Sequence, residues 1–265
     1  MNLRDKHIIL TGAASGIGAA LLRELSQKAD HITCADVNSA ALQATIAALP
    51  SHKANITPFV GDLAMASTVD DLITAGLAAM GSIDVFIANA GFAYYERMDY
   101  HDWQRIEKIF ALNTFSPIYT AQALQARLPQ GDYTLVMVSS AMAYIAVPGY
   151  SLYAATKAAL DRFAEGYRQE KPQNVRLMVV YPVATRTNFF RGAGKEVPVA
   201  IPSQTPEYVA HAIINGLERD ANKVYPSHIF RWSRFTAIGL QKMRWFTYVV
   251  NGRQFKDWLQ KQSKG

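Results

Sequence analysis

A short apolar run, Lys6 to Thr11, passes directly into Thr11-Gly12-Ala13-Ala14-Ser15-Gly16-Ile17-Gly18 and then into a helical pattern from Ala19 to Lys28. Few folds put glycines at these places between a strand and a helix. They let the backbone turn sharply and approach a pyrophosphate, which the free N–H groups and the dipole of the following helix bind. Gly12, Ser15, Gly16, Ile17 and Gly18 are therefore candidate phosphate-binding residues. The next apolar run, His31 to Ala35, ends in Asp36, eighteen residues after Gly18. A carboxylate there accepts hydrogen bonds from a ribose 2′-hydroxyl and repels a 2′-phosphate. No basic residue replaces Ser15 to receive that phosphate, so NAD is expected over NADP.

The alternation continues. Ile56 to Gly61 reads as a strand ending in Asp62-Leu63, and Ile83 to Ala88 as one ending in Asn89-Ala90-Gly91. A long helical segment, Tyr100 to Leu128, carries Asn113; the strand Tyr133 to Val138 delivers Ser139-Ser140; further strands follow at Val175 to Tyr181 and Lys223 to Pro226. This order predicts an α/β fold, a Rossmann-type doubly wound domain whose mainly parallel seven-stranded sheet has helices on both faces. Ligands of such sheets sit outside the carboxyl ends of the strands, where all these small and polar residues fall. With 265 residues, half of them apolar, the chain can bury one sizeable core. Residues 1–228 read as one catalytic domain and 229–265 as its C-terminal helical extension.

Acid-base chemistry is concentrated between Ser139 and Lys157. Tyr153 and Lys157 stand four residues apart at the start of a predicted helix, on one face. At about 4 Å and an effective dielectric near 20, a phenolate and an ammonium attract by roughly 4 kcal/mol. That is enough to bring a tyrosine from about 10 towards about 7, where a proton moves cheaply, with desolvation acting the other way. Ser140, thirteen residues earlier, supplies a hydroxyl for a substrate oxygen. A second Tyr-x-x-x-Lys, Tyr167 to Lys171, stands just before Pro172 without a matching hydroxyl pair; it reads as a solvated helix end.

Together these residues make the chain resemble the short-chain dehydrogenase/reductase family, in its TGxxxGxG and YxxxK subgroup, over roughly residues 5 to 226. Thr11 to Gly18, Asp36, Asp62, Asn89-Ala90-Gly91, Asn113, Ser140, Tyr153, Lys157, and Pro182 with Thr187 follow the family's order and spacing. The resemblance implies an oxidoreductase in which Tyr153 is general acid and base and Ser140 polarises the substrate oxygen. Lys157 lowers the Tyr153 pKa and holds the nicotinamide ribose. It implies further that Asn113, at a disturbed helix turn, relays protons from Lys157 to water. Asp62 with Leu63 would meet the adenine, Asn89-Ala90-Gly91 and Pro182 would line the cofactor cleft, and Thr187 would hold the carboxamide. Val183 departs from the pattern, since most relatives have glycine there, and a β-branched residue disfavours positive φ. The path near the nicotinamide is therefore expected to differ. A nucleotide-binding scaffold without turnover is the alternative, against which the full set Asn113, Ser140, Tyr153 and Lys157 argues.

The segments expected to border the site, Phe92 to Tyr95, Ala141 to Val147 and Asn188 to Gln204, are largely apolar. A hydrophobic alcohol or carbonyl substrate follows. The last segment, with Gly192 and Gly194 as pivots, reads as a lid; Arg191 and Lys195 are either solvated or meet an anionic group.

Charge is uneven. Residues 229 to 265 hold eight Lys or Arg against Asp257 alone, so the net +6 belongs to the tail and the body carries no nucleic-acid signature. Within Ile229 to Val250, one helix would gather Trp232, Phe235, Gly239, Met243, Phe246 and Val250 on one face, with Arg231, Arg234, Gln241, Lys242 and Arg244 opposite. Such a helix lies on an anionic membrane surface, or packs on the substrate mouth or a second subunit of a homodimer or homotetramer. Cys34 is the only cysteine and the histidines are scattered, so no disulfide or metal site is expected. The charged N-terminus lacks the apolar core of a signal peptide and no apolar run reaches the ~18 residues of a membrane span, which points to the cytoplasm.

Overall fold

The computed structural model describes residues 1–186, 197, 203–235 and 237–262. Strand and helix alternate as β1 (His7–Thr11), α1 (Gly16–Leu25), β2 (His31–Asp36), α2 (Ser39–Ala47), β3 (Asn55–Val60), α3 (Ala66–Met80) and β4 (Val85–Ala88). Next comes one long helical segment, α4 (Trp103–Phe110), a π turn (Ala111–Phe115) and α5 (Ser116–Arg127). After β5 (Tyr133–Val138) come a 3-10 turn (Ala141–Ala143), α6 (Ser151–Glu170), β6 (Val175–Val180) and a small pair, β7 (Ala184–Thr185) with β8 (Ser203–Gln204). The chain closes with α7 (Pro206–Glu218), β9 (Lys223–Val224), α8 (His228–Phe235) and α9 (Ala237–Gln262).

Seven strands, all parallel, lie in the order β3-β2-β1-β4-β5-β6-β9. Their side chains sort by the strand's two-residue period. Ile9, Phe86, Leu135, Met137, Leu177 and Val179 face a core shared with α3, α5 and α6, while Ile8, Leu10, Val85, Ile87, Val136 and Met178 face one shared with α1, α2 and α7. Both faces are covered, so the central strands are continuously apolar, and all six residues of β5 are buried. The order reverses between β1 and β4, and the crevice above this switch point is where such sheets bind ligands.

Several boundaries differ from expectation for physical reasons. Helix α1 begins at Gly16, before the apolar pattern at Ala19, because the glycines form its first turn, and it ends at Leu25. The segment expected from Tyr100 starts at Trp103, where the Asp102 side chain accepts the Arg105 N–H at 2.9 Å. Helix α6 turns four times between Tyr153 and Tyr167, so both face inward, and Tyr167 is a buried core residue stacked on Phe163. The solvated helix end expected there is therefore overturned for Tyr167; only Lys171 lies past the helix.

The tail is two helices instead of one, and its faces differ from the expected ones. In α8, Phe230 is fully buried and joins the core near Tyr181 and Tyr225, while Trp232 and Ile229 are exposed. In α9, Asn251, Phe255 and Trp258 share the inward face, with Met243 packed against the core. Lys242, Trp245, Phe246, Arg253 and Lys256 share the outward one. Met243 thus packs on the core while Phe246, one turn on, is exposed at the edge of that face, and the cations stand among exposed aromatics instead of across from them. Among the described residues, no helix is long and apolar enough to cross a membrane.

Candidate active site

A cavity of about 620 Å³ opens at the carboxyl ends of the strands. One wall is the turn from β1 to α1. Gly12 has φ +67°, and a Cβ there would stand 2.9 Å from the Cα of Ala90; a Cβ on Gly18 would stand 1.8 Å from the Gly12 carbonyl oxygen. Only glycines allow this loop to lie so close to β4 and to its own helix. Ser15 caps α1 without a side-chain hydrogen bond, so the amides of the first turn are left for a ligand facing Gly12, Ser15, Gly16 and Ile17. Asp36 ends β2 at the cavity wall, its Oδ2 accepting the Ala14 N–H and its Oδ1 that of Asn38, each at 3.0 Å. Val37, Asp62 and Leu63 extend this wall. The cradle fits a dinucleotide, and Asp36 stands on its wall.

Thr11 lies beneath the loop, where the motif's spacing alone gives it no role. Its hydroxyl donates to the Ile87 carbonyl at 3.2 Å and accepts the N–H groups of Asn89 (2.9 Å) and Ala90 (3.0 Å). Asn89 returns a bond to the Thr11 carbonyl at 2.9 Å, stapling the ends of β1 and β4 together. Asn89, Ala90 and Gly91 line the cavity, with Gly91 close against Asn113: a Cβ there would be 3.0 Å from its Oδ1. Asn113 sits in the π turn, where one extra residue rotates it inward, and it is buried behind Gly91. It accepts the Phe92 N–H at 3.0 Å and donates to the Phe92 carbonyl (2.8 Å) and the Thr156 hydroxyl (3.2 Å).

Opposite, Ser140, Tyr153 and Lys157 meet. Ser140 lies two residues past β5 and opens the 3-10 turn; its Oγ accepts the Met142 N–H at 3.1 Å and lies 3.5 Å from the Pro182 carbonyl oxygen. The Lys157 ammonium donates to the Val138 carbonyl at 2.9 Å and stands 5.7 Å from the centre of the Tyr153 ring. The expected lowering of Tyr153 by Lys157 is overturned for the chain alone. Burial pushes the phenol up to about 12, against a hydrogen bond with Ser140, and pushes Lys157 down to about 8. Both groups are out of water and the ammonium is engaged by a carbonyl, so desolvation outweighs attraction.

Of the candidate residues, Gly18 and Asn113 stand just behind the cavity lining, Thr187 lies outside the described residues, and the others line the cavity. Thr185, which had no place in the expectation, also lines it. Val183 is absent from the non-glycine residues with positive φ, so the chain passes the site in an ordinary conformation. Part of the cavity lining is apolar: Phe92, Tyr94, Met142, Val183 and Ala184. Behind them Tyr150 lies 6.4 Å from Tyr153 and 4.8 Å from Tyr95, and Tyr95 meets Trp258 at 5.0 Å and Phe255 at 5.5 Å. The far half of the tail is thus packed beside the start of α6. The expected lid falls mostly outside the described residues, with Phe189, Phe190, Arg191, Gly192, Gly194, Lys195, Val199 and Ile201; Val197 packs with the Tyr95 cluster. Among the described residues, no cluster of three His, Cys, Asp or Glu could hold a metal ion.

Known proteins resemble this chain over most of its length. A protein named oxidoreductase SadH, from Mycobacterium tuberculosis, is 30% identical over 238 residues, covering 84% of this chain and 86% of that one. A short-chain dehydrogenase from Sphingobium yanoikuyae in complex with NADPH superposes with a TM-score of 0.77 at 24% identity, over 90% of this chain and 95% of that one. A short-chain dehydrogenase/reductase from Burkholderia phymatum in complex with NAD gives 0.76 at 17% identity, over 85% and 90%. At these identities the two structures speak for the fold alone. The profile described as short chain dehydrogenase matches residues 6–197. Sequence, sheet order and relatives together place the chain in the short-chain dehydrogenase/reductase family, as an NAD(P)-dependent oxidoreductase.

Proposed function

We propose that the protein transfers a hydride between NAD and a hydrophobic alcohol or carbonyl compound, with residues 1–228 as the catalytic domain and 229–265 as its extension. The observation that carries this is the meeting of Ser140, Tyr153 and Lys157 in the same cleft as the glycine turn, against an apolar wall. Bound NAD would supply the hydride acceptor. The chain's part is to hold and move the proton: Ser140 orients the substrate oxygen, and Tyr153 takes its proton on oxidation or gives one on reduction. Lys157 holds the nicotinamide ribose and supplies positive charge beside the phenol, Asn113 braces Gly91 and the proton path, and Thr187 holds the carboxamide. Gly12 to Gly18 bind the pyrophosphate, Asp36 the adenosine ribose, and Asp62 with Leu63 the adenine.

Purified protein, offered NAD or NADP and a panel of alcohols spanning chain lengths and ring systems, should produce NADH fluorescence with kcat/KM favouring NAD. Asp36→Ala should narrow that preference by about tenfold or more, since a carboxylate facing a phosphate is repulsive. NAD binding without turnover on the whole panel would instead indicate a scaffold. Equal use of both cofactors by the wild type would overturn the role of Asp36.

We place the protein in the cytoplasm as a homo-oligomer, and the outer face of α9 supports its peripheral attachment to anionic membrane. Trp245 is 67% and Phe246 44% exposed beside Lys242, Arg253 and Lys256, the mixture that settles at a lipid headgroup boundary. Full-length protein should co-sediment with anionic vesicles at low salt, and less with neutral ones or at high salt. Trp245→Ala with Phe246→Ala should weaken this about tenfold and leave NAD affinity unchanged. Failure to sediment under any salt condition would rule the location out; loss of the oligomer in the double variant would assign the face to a subunit contact.

A further inference from the structure

Asp161 lies on α6 four residues after Lys157 and eight after Tyr153, on the face that both present to the sheet. It has no part in the proton transfer above, yet its side chain is only 4% exposed. A buried carboxylate is costly unless donors surround it. Here there are three. The hydroxyls of Tyr144 (2.9 Å) and Tyr181 (2.6 Å) both donate to Oδ1, and the Arg162 guanidinium donates to Oδ2 at 2.5 Å. Burial would raise this carboxyl, but the bonds from Tyr181, Arg162 and Tyr144 hold it below the ordinary carboxylate range.

The two tyrosines come from the segments that meet at Ser140. Tyr144 ends the 3-10 turn that Ser140 opens. Tyr181 directly precedes Pro182, whose carbonyl accepts the Ala141 N–H at 2.8 Å and faces the Ser140 hydroxyl. Their rings lie 5.4 Å apart, and Tyr181 stacks on Tyr225 at 4.8 Å. One carboxylate oxygen therefore ties the catalytic helix, the serine turn and the end of β6 at a single point. Apolar side chains could fill the same space without the desolvation cost, so stability alone gives no reason for a charge there.

We propose that Asp161 is a positioning residue: through Tyr144 and Tyr181 it holds the Ser140 turn in register with the Tyr153 helix. This rests on Ser140 acting on the substrate oxygen. An ångström of drift in that turn would misplace the serine hydroxyl relative to the phenol, and misplacements of that size cost rate more than binding.

The test uses Tyr181→Phe and Tyr144→Phe, which remove one hydroxyl each and keep the rings, alone and combined with Ser140→Ala. With the best alcohol of the panel, each should lower kcat about tenfold, with KM and NAD affinity within about twofold. In the Ser140→Ala background each should cost less than about twofold, because a strap on an absent hydroxyl has nothing left to hold. Amide hydrogen exchange supplies a readout without substrate: Ala141 and Met142 should exchange about tenfold faster in Tyr181→Phe, while the amides of α6 stay protected. Equal kcat losses in both backgrounds, or a lower melting temperature with kcat and exchange unchanged, would overturn the proposal and leave Asp161 a structural residue. If Ser140→Ala alone keeps full turnover, the role of Ser140 fails and the proposal fails with it; slow turnover in that variant with additive losses fails the proposal alone.

Discussion

Tyr153→Phe is expected to lower turnover by about 10²–10⁴-fold while NAD binding stays within about twofold. The substitution removes one oxygen and keeps a ring that packs near Tyr150, so the loss belongs to proton transfer and not to the fold. Tyr167→Phe is the matched control on the same helix face. Its hydroxyl is buried beside that of Tyr133 and outside the cavity lining, so removing it should leave turnover unchanged and the melting temperature at most slightly lower. Steady-state rates, NAD titration by fluorescence quenching and thermal melting check all three statements. Comparable rate losses in both variants would place the chemistry elsewhere.

Lys157→Met should abolish turnover, by about 10²-fold or more, and yet make the cofactor-free protein harder to unfold at pH 7. The ammonium is buried, and burial lowers it from its ordinary value of 10.5 to about 8. The unfolded chain therefore binds more protons than the folded one between these values, and wild-type stability rises with pH across that window. Below pH 8 the folded protein bears the cost of an enclosed charge, on the order of 3 kcal/mol. Methionine fills similar volume without it. The Val138 carbonyl loses its donor, at about 1 kcal/mol, which leaves a net gain of about 2 kcal/mol and a rise of roughly 5 °C in melting temperature. That gain should shrink as pH approaches 10. A variant that melts lower at pH 7, or a difference that ignores pH, would show that Lys157 is not held at a cost to stability.

Much of this architecture is legible in the chain because a doubly wound sheet repeats one local rule. Each central strand is a continuous apolar run that stops at a small or polar residue, and Tyr133 to Val138 is found to the residue. The site follows from the same rule, since those stopping residues meet above the sheet. What escapes is whatever depends on neighbours distant in sequence. A lone Asp161 on a helix looks solvated until Tyr144 and Tyr181 are brought to it from 17 and 20 residues away. The Tyr153 phenol looks acidified if only its partner four residues on is considered, but the enclosing core sets the larger effect. A single helical phase from 229 to 250 predicts the tail's faces, and the division into α8 and α9 resets that phase. Glycines hide the start of α1 because the first turn there is selected by close approach, with helix propensity against it.

Helix α9 gives the molecule a lever. Its inner side chains, Phe255 and Trp258, bear on Tyr95, two contacts from Tyr153, while Trp245 and Lys242 on its other side meet whatever lies outside. Two occupants, one in the cleft and one on the surface, thus address a single helix, and equilibrium then demands reciprocity: any factor by which a surface tightens the hold on a cleft ligand must return, unchanged, as a tighter hold of the liganded protein on that surface.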